Sequence, residues 1–271
     1  MITSNEMMRG YSENGIFSDL LLNRLEYKDT RFYPCVEKQY EGIYVPSATT
    51  ILDVVPKGKA YKNWLQDLGQ EADYISASAM EKGSTVHNLT ERFDNGEEIH
   101  LADENGKIRF SLQEVEMFNK YVEFSERYKP FIIANEWGVG SAELRFGGML
   151  DRVFKIDGEN WLIDIKTGNM YSTYWRQVAS YKVLWEHFNP QFKIDRIGIL
   201  HLNAQSRTDG KLQGRGWKIE EMPTDEVGAD GKRGFELYWH LFKMSLHEWY
   251  YQNPNATPKN RVFKLNFKKD W

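Results

Sequence analysis

Cysteine is almost missing from this sequence: Cys35 is the single one in 271 residues, so no intrachain disulfide can form. One thiol also cannot supply the cysteine set that an iron–sulfur cluster needs, which excludes a cluster held within this chain. A reducing, cytoplasmic setting is the expectation. No long uninterrupted apolar run is present, and a bilayer-spanning helix needs about 18–20 such residues, so no membrane span is expected. Residues 1–17 are polar and lack the apolar stretch of a secretory signal. Positive charge is not in excess: 35 Lys and Arg stand against 39 Asp and Glu, a net charge of −4. A protein that coats nucleic acid non-specifically is usually basic overall, so that class is disfavoured, while a local site for a phosphate chain is not. Nor is there a Gly-x-x-x-x-Gly-Lys-Ser/Thr phosphate loop, which excludes an ATP-driven helicase in this chain alone.

What is present suits a folded enzyme. The 41% hydrophobic and 14% aromatic content can fill the core of one large domain. The expected division is an extension over residues 1–45, a domain over 46–252 and a basic tail over 253–271. Ser47 reads as the cap of a helix that starts after Pro46. Helical spacing of apolar residues predicts helices over 75–94, 112–128, 172–188 and 235–251. Short β-rich runs lie at 131–137, 141–146, 148–156, 160–166 and 196–202, and the Gly-, Asp- and Lys-rich stretches 205–216 and 222–234 read as loops. Helices on both sides of a β core indicate an α/β or α+β fold.

The chemistry concentrates in one hairpin. Asp157-Gly158 is a strong two-residue turn signal between 148–156 and 160–166. If it closes with Ile156 opposite Glu159, then Asp151 falls opposite Asp164 on the same face. Two carboxylates facing each other across a ladder, with Cβ atoms roughly 5 Å apart, repel unless a proton, water or a cation intervenes. Carboxylate oxygens are hard ligands that suit Mg²⁺ or Mn²⁺. Lys166 lies two residues on, on the same face, where an ammonium can orient water or stabilise charge on a phosphate. An acidic-x-Lys triplet alone is weak, since Glu26/Lys28, Asp209/Lys211 and Asp230/Lys232 repeat it. The apolar strand and the opposed Asp151 distinguish the copy at 164. Together these parts suit phosphodiester hydrolysis assisted by metal.

Several ordered elements then resemble the RecB-like branch of the PD-(D/E)XK nuclease superfamily, which includes phage-type exonucleases. They are Pro46 to Leu52, Gly83-Ser84-Thr85-Val86-His87, Glu143 with Gly147 to Asp151, Asp164-Ile165-Lys166, and Gln177-Val178-Ala179-Ser180-Tyr181. The resemblance spans roughly residues 46–185. It implies a restriction-endonuclease-like α/β fold with a central mixed sheet flanked by helices. It implies that His87, Asp151 and Asp164 bind Mg²⁺ or Mn²⁺ with the Ile165 carbonyl, and that Lys166 is the catalytic lysine. Gln177 and Tyr181 would brace the site or contact DNA, and Glu143 would be a metal ligand or its neighbour. The implied substrate is DNA, with an exonuclease in recombination, repair or phage replication as the first reading and a partner protein that loads it left open. An endonuclease with the same centre, a non-catalytic DNA-binding protein and hydrolysis of RNA are the alternatives.

Simpler readings exist for each residue. His87 could be a core histidine, Glu143 an ordinary polar strand position, and Gln177 with Tyr181 part of a packed helix stripe that also holds Tyr174 and Trp185. Tyr61 and Trp64, near Lys59 and Lys62, could stack on bases, though core packing is the simpler account of both. The basic residues Arg261, Lys264, Lys268 and Lys269 read as solvated surface or as a DNA contact.

Overall fold

A computed structural model describes residues 2–3, 25–27, 30–208 and 211–256. The basic residues of the C-terminal tail lie outside the described residues. Alternating apolar residues build a mixed sheet of β1 (Ile2–Thr3), β5 (Phe131–Ser141), β6 (Phe146–Ile156), β7 (Glu159–Lys166), β8 (Arg196–Thr208) and β9 (Lys211–Glu221), ordered β1-β5-β6-β7-β8-β9. The pairs β5–β6, β6–β7 and β8–β9 are antiparallel, whereas β1–β5 and β7–β8 are parallel. A smaller antiparallel sheet, β2 (Leu25–Tyr27), β3 (Thr30–Pro34) and β4 (Tyr44–Pro46), is tied to it by the bridges Cys35–Gly140 and Ser47–Gly147. Phe32 and Val36 join the main core, so the expected extension already belongs to the packed body from residue 30.

Helices cover both faces, as an α/β architecture requires. On one face α3 (Glu71–Asp94) and α4 (Leu112–Tyr128) pack Val86, Met117, Tyr121 and Phe124 on Phe154, Trp161, Ile163 and Ile165. On the other, α1 (Ala48–Leu52), α5 (Thr173–Phe188) and α6 (Gly234–Gln252) pack Ile51, Val178, Leu184, Trp185 and Phe242 on Leu150, Val153 and Leu162. A short helix, α2 (Lys59–Leu68), precedes α3 and has no counterpart in the sequence reading. Local chemistry explains the boundaries. The Ser47 hydroxyl accepts from Thr50 N at 3.0 Å, starting α1. Ser111 and Glu114 form a capping box on α4, and left-handed Lys129 followed by Pro130 ends it. None of the described helices is long and apolar enough to cross a membrane.

Two expectations are corrected. Residues 141–146, expected as one strand, instead hold the end of β5 at Ser141, the turn 142–145 and the start of β6 at Phe146. Arg145 N donates to Ser141 O at 2.8 Å and Leu144 N to Ser141 Oγ at 3.1 Å, with Arg145 at φ 65°. Ser141 Oγ itself donates to Glu37 at 2.5 Å, so the turn is held by contacts from a distant segment instead of by Gly, Asn or Pro. Within the stretch 205–216, expected as a loop, residues 205–208 extend β8 and 211–216 begin β9. Their polar, glycine-containing composition hid the cross-strand pairing that forms there.

Candidate active site

The β6–β7 hairpin closes as its turn residues dictate. Asp157 at φ 50° and Gly158 at φ 88° are both left-handed, the geometry of a type I′ turn. Ile156 faces Glu159, and the ladder continues to Arg152 facing Ile163. One step further lies Asp151 beside Asp164. There the backbone ladder gives way to a side chain: Asp151 Oδ2 accepts from Ile165 N at 2.6 Å.

A third carboxylate stands on the next strand. Asn135 faces Arg152 and Trp137 faces Leu150, so Glu136 falls opposite Asp151. Glu136 sits at φ 47°, a left-handed conformation unusual for a residue other than Gly, Asn or Asp. Such strain costs about 1 kcal/mol or more and persists where surrounding contacts hold it. Here the holder is Arg152, fully buried, whose Nη1 donates to Glu136 Oε1 at 2.9 Å. Its other donors reach Asp94 Oδ2 at 2.5 Å, Thr90 Oγ1 at 3.0 Å and the Asp151 carbonyl at 2.7 Å. The Tyr121 hydroxyl completes the network by donating to Asp94 at 2.5 Å.

Helix α3 brings His87 to these carboxylates. Its Nδ1 is 3.7 Å from both Glu136 Oε1 and Asp151 Oδ2, and its Nε2 is 3.1 Å from the Ile165 carbonyl oxygen. Gly83, one turn earlier, eases the approach, since an added Cβ would meet Thr167 Oγ1 at a tight 3.2 Å. Burial disfavours the charged imidazole, but Asp151 and Glu136 override it and push His87 up to about 9. Burial raises the Asp151 carboxyl, and the charges of Asp164 and Glu136 raise it further. Burial also opposes ionisation of Glu136, but the neighbouring His87 and the charge and hydrogen bond of Arg152 hold it below the usual range. The cluster therefore has a surplus of negative charge and draws a cation, here a proton on His87.

The donor atoms of His87, Glu136 and Asp151 lie within 4.8 Å of one another. A small divalent ion with ligands at about 2.1 Å would bring them within about 4.2 Å, a minor closing movement. Two carboxylates and an imidazole suit such an ion, and the group could hold one.

Asp164, 2% exposed, borders this group. Gln177 Nε2 donates to the Tyr181 hydroxyl at 3.0 Å and lies 3.4 Å from Asp164 Oδ1. Lys166 Nζ is 2.6 Å from Asp164 Oδ2. That ion pair lies off the line of a hydrogen bond, and Oδ2 has no hydrogen-bond partner among the described residues. Burial lowers the pKa of Lys166, but Asp164 and Asp151 outweigh it and keep the ammonium charged. Nζ also sits 4.6 Å from the centroid of the Tyr174 ring. Tyr181 packs on Gly148, where an added Cβ would come within 2.4 Å of its ring. The glycine in the Gly-Gly-Met-Leu-Asp run thus admits the tyrosine that bounds the site.

No protein-family model matches the chain, and no curated protein matches it in sequence. Among solved structures, a crystal structure from Eubacterium rectale named "Putative exonuclease" is similar at 14% identity. The match covers 70% of this chain and 77% of that one, with a TM-score of 0.36.

The sequence-derived residues His87, Asp151, Asp164, Ile165, Lys166, Gln177 and Tyr181 gather in one place. All of them line a cleft of 1590 Å³ together with Glu136, Glu91 and Tyr174. Glu143 does not join them. It sits half-exposed in the β5–β6 turn, 3.4 Å from Gln39 and 3.8 Å from His187, and lines no part of the cleft. The acidic residue that β5 contributes is Glu136, which the sequence reading missed. It missed Arg152 as well. The available signal was Arg152 standing between the apolar Leu150 and Phe154 on one face of a core strand, since a buried guanidinium needs carboxylates around it.

Proposed function

We propose that this chain is a nuclease that hydrolyses DNA phosphodiester bonds with Mg²⁺ or Mn²⁺. The observation that carries this reading is the row of Glu136, Asp151 and Asp164 on three adjacent strands, with His87 on one side and Lys166 on the other, inside one open cleft. His87, Glu136 and Asp151 would hold the ion, with Asp164 and the Ile165 carbonyl at its edge. Bound there, a divalent ion supplies Lewis acidity toward a phosphoryl oxygen and lowers the pKa of water.

The chain's own groups would do the rest. The Lys166 ammonium, kept charged by Asp164 and Asp151, is poised to orient the attacking water and to stabilise charge on the phosphate. Asp164 fixes that ammonium. Gln177, bonded to Tyr181, restrains Asp164 in turn. The Ile165 N–H holds the Asp151 carboxylate in place. The products would be 5′-phosphate and 3′-hydroxyl ends. The sequence resemblance to RecB-like and phage-type exonucleases supports end-directed degradation, in recombination, repair or phage DNA metabolism.

The test is cleavage of linear and covalently closed circular DNA with Mg²⁺ and Mn²⁺. Lys166→Ala and Asp164→Ala are each expected to abolish cleavage while the fold, followed by circular dichroism, is retained. Cleavage by either variant at the wild-type rate refutes the centre. Degradation of linear DNA with circles spared supports an exonuclease, and nicking of the circles replaces it with an endonuclease.

A further inference from the structure

Tyr61 and Trp64 belong to neither hydrophobic cluster. They line the same cleft as Asp151, Asp164 and Lys166, on the wall formed by α2 and α3. Their rings stack on each other, 5.7 Å apart and inclined by 27°. Lys57 Nζ lies 4.6 Å from the Tyr61 ring centroid, and Lys59 and Lys62 are exposed on the same helix. From α3, Ile75 and Met80 extend the apolar lining of the cleft while remaining 42% and 65% exposed. Partly exposed aromatic surface and open apolar surface beside three lysines suit a ligand with flat apolar faces and negative charge, which describes unpaired bases on a phosphate backbone.

The size and depth of the cleft narrow this further. At 1590 Å³ it exceeds the roughly 300–1,000 Å³ of a small-molecule pocket, so it has room for several nucleotides. Asp164 and Asp151 lie at 2% and 8% exposure within it. Bases in a duplex cover each other's faces, and one unpaired strand enters a cleft toward buried carboxylates more readily than two paired strands do. An aromatic pair can engage only bases that are already unstacked.

We infer that the substrate is single-stranded DNA, with Tyr61 and Trp64 forming a stacking platform that feeds the strand toward the carboxylate row; this rests on the nuclease reading above. The rings would hold bases without regard to sequence, because every base has a π-face. Lys57, Lys59 and Lys62 would track the backbone beside them.

Binding is measured by fluorescence anisotropy of 5′-labelled oligo-dT of about 20 nucleotides, and of a blunt duplex of the same length, on the Lys166→Ala protein without divalent ions. Oligo-dT is expected to bind roughly tenfold or more tighter than the duplex, and the added pair Tyr61→Ala/Trp64→Ala to weaken it by roughly tenfold or more. Tyr61→Phe/Trp64→Phe should restore most of the affinity, which separates stacking from loss of fold. Equal or tighter duplex binding, or oligo-dT binding untouched by the alanine pair, overturns the inference. If the wild type cleaves neither DNA with Mg²⁺ or Mn²⁺ while platform-dependent oligo-dT binding persists, the single-strand site stands and the nuclease reading fails. If cleavage occurs but its KM for oligo-dT ignores the alanine pair, the nuclease reading stands and the platform fails.

Discussion

Replacing Arg152 by Met removes the centre of a buried polar network and leaves its partners in place. Arg152 is fully buried and bonds Asp94, Glu136, Thr90 and the Asp151 carbonyl. Removing one member of a buried ion pair costs about 3–5 kcal/mol, since the remaining charge loses its partner. At about 2–4 °C per kcal/mol for a domain near this size, the melting temperature should fall by roughly 6–20 °C. The sign with pH is also set. Burial already raises the Asp94 carboxyl, and Arg152 is the charge that restrains it. Without Arg152, the folded-state pKa of Asp94 rises further above the unfolded value of about 3.9, so the folded state binds more protons than the unfolded state. Stability of the variant therefore falls as pH rises between those two values, by up to about 1.4 kcal/mol per pH unit. Thermal melts by circular dichroism at pH 5.5 and pH 8, without divalent ions, should reveal a larger deficit at pH 8. The companion pair Asp94→Asn with Arg152→Met should cost less than the sum of the two single changes. A loss below about 1 kcal/mol with no pH trend would refute the account of this network as a buried, mutually satisfied set.

Four further outcomes are expected. Glu136→Gln should weaken Mn²⁺ binding, read by isothermal titration calorimetry, by at least the roughly tenfold that loss of a supporting residue already costs. Glu143→Gln should leave that affinity unchanged, because the turn is remote from the cleft. Gly148→Ala should destabilise the fold by about 1–3 kcal/mol in urea unfolding, since its Cβ would meet the Tyr181 ring at 2.4 Å; an unaltered midpoint would contradict the packing described. Cys35 is 1% exposed and its thiol is pushed up to about 12 by burial and Glu37, so Ellman's reagent at pH 8 should label it only when the protein is unfolded.

The hairpin chemistry was legible in the sequence because its determinants are local. Alternation along 151–156 and 161–166, with a two-residue Asp-Gly turn, fixes which side chains face each other and puts Asp151 beside Asp164. Ser47 as a cap, and α4 and α5 by their apolar stripes, were readable for the same reason. Glu136 was not, because its place depends on the β5–β6 turn. Residues 141–146 carry no Gly, Pro or Asn signal, and their turn is stabilised by Glu37 from another part of the chain. Glu143, four residues before the Gly-Gly run, stands where the family resemblance places an acidic residue, although the strand has already ended there. Arg152 read as one alternating polar position. Only the packed α3 and α4, which bring Asp94, Thr90 and Tyr121 to its guanidinium, make it the support of Glu136. Tyr61 and Trp64 have a composition equally suited to a core or a surface. The position of α2 on the wall of the cleft decided between them, since burial depends on which elements meet and periodicity cannot specify that. The sequence thus determined the two aspartates and the lysine. The family resemblance pointed to His87 as well; tertiary structure decided which glutamate stands beside them and carried His87 to it, because those contacts join strands and helices far apart in the chain.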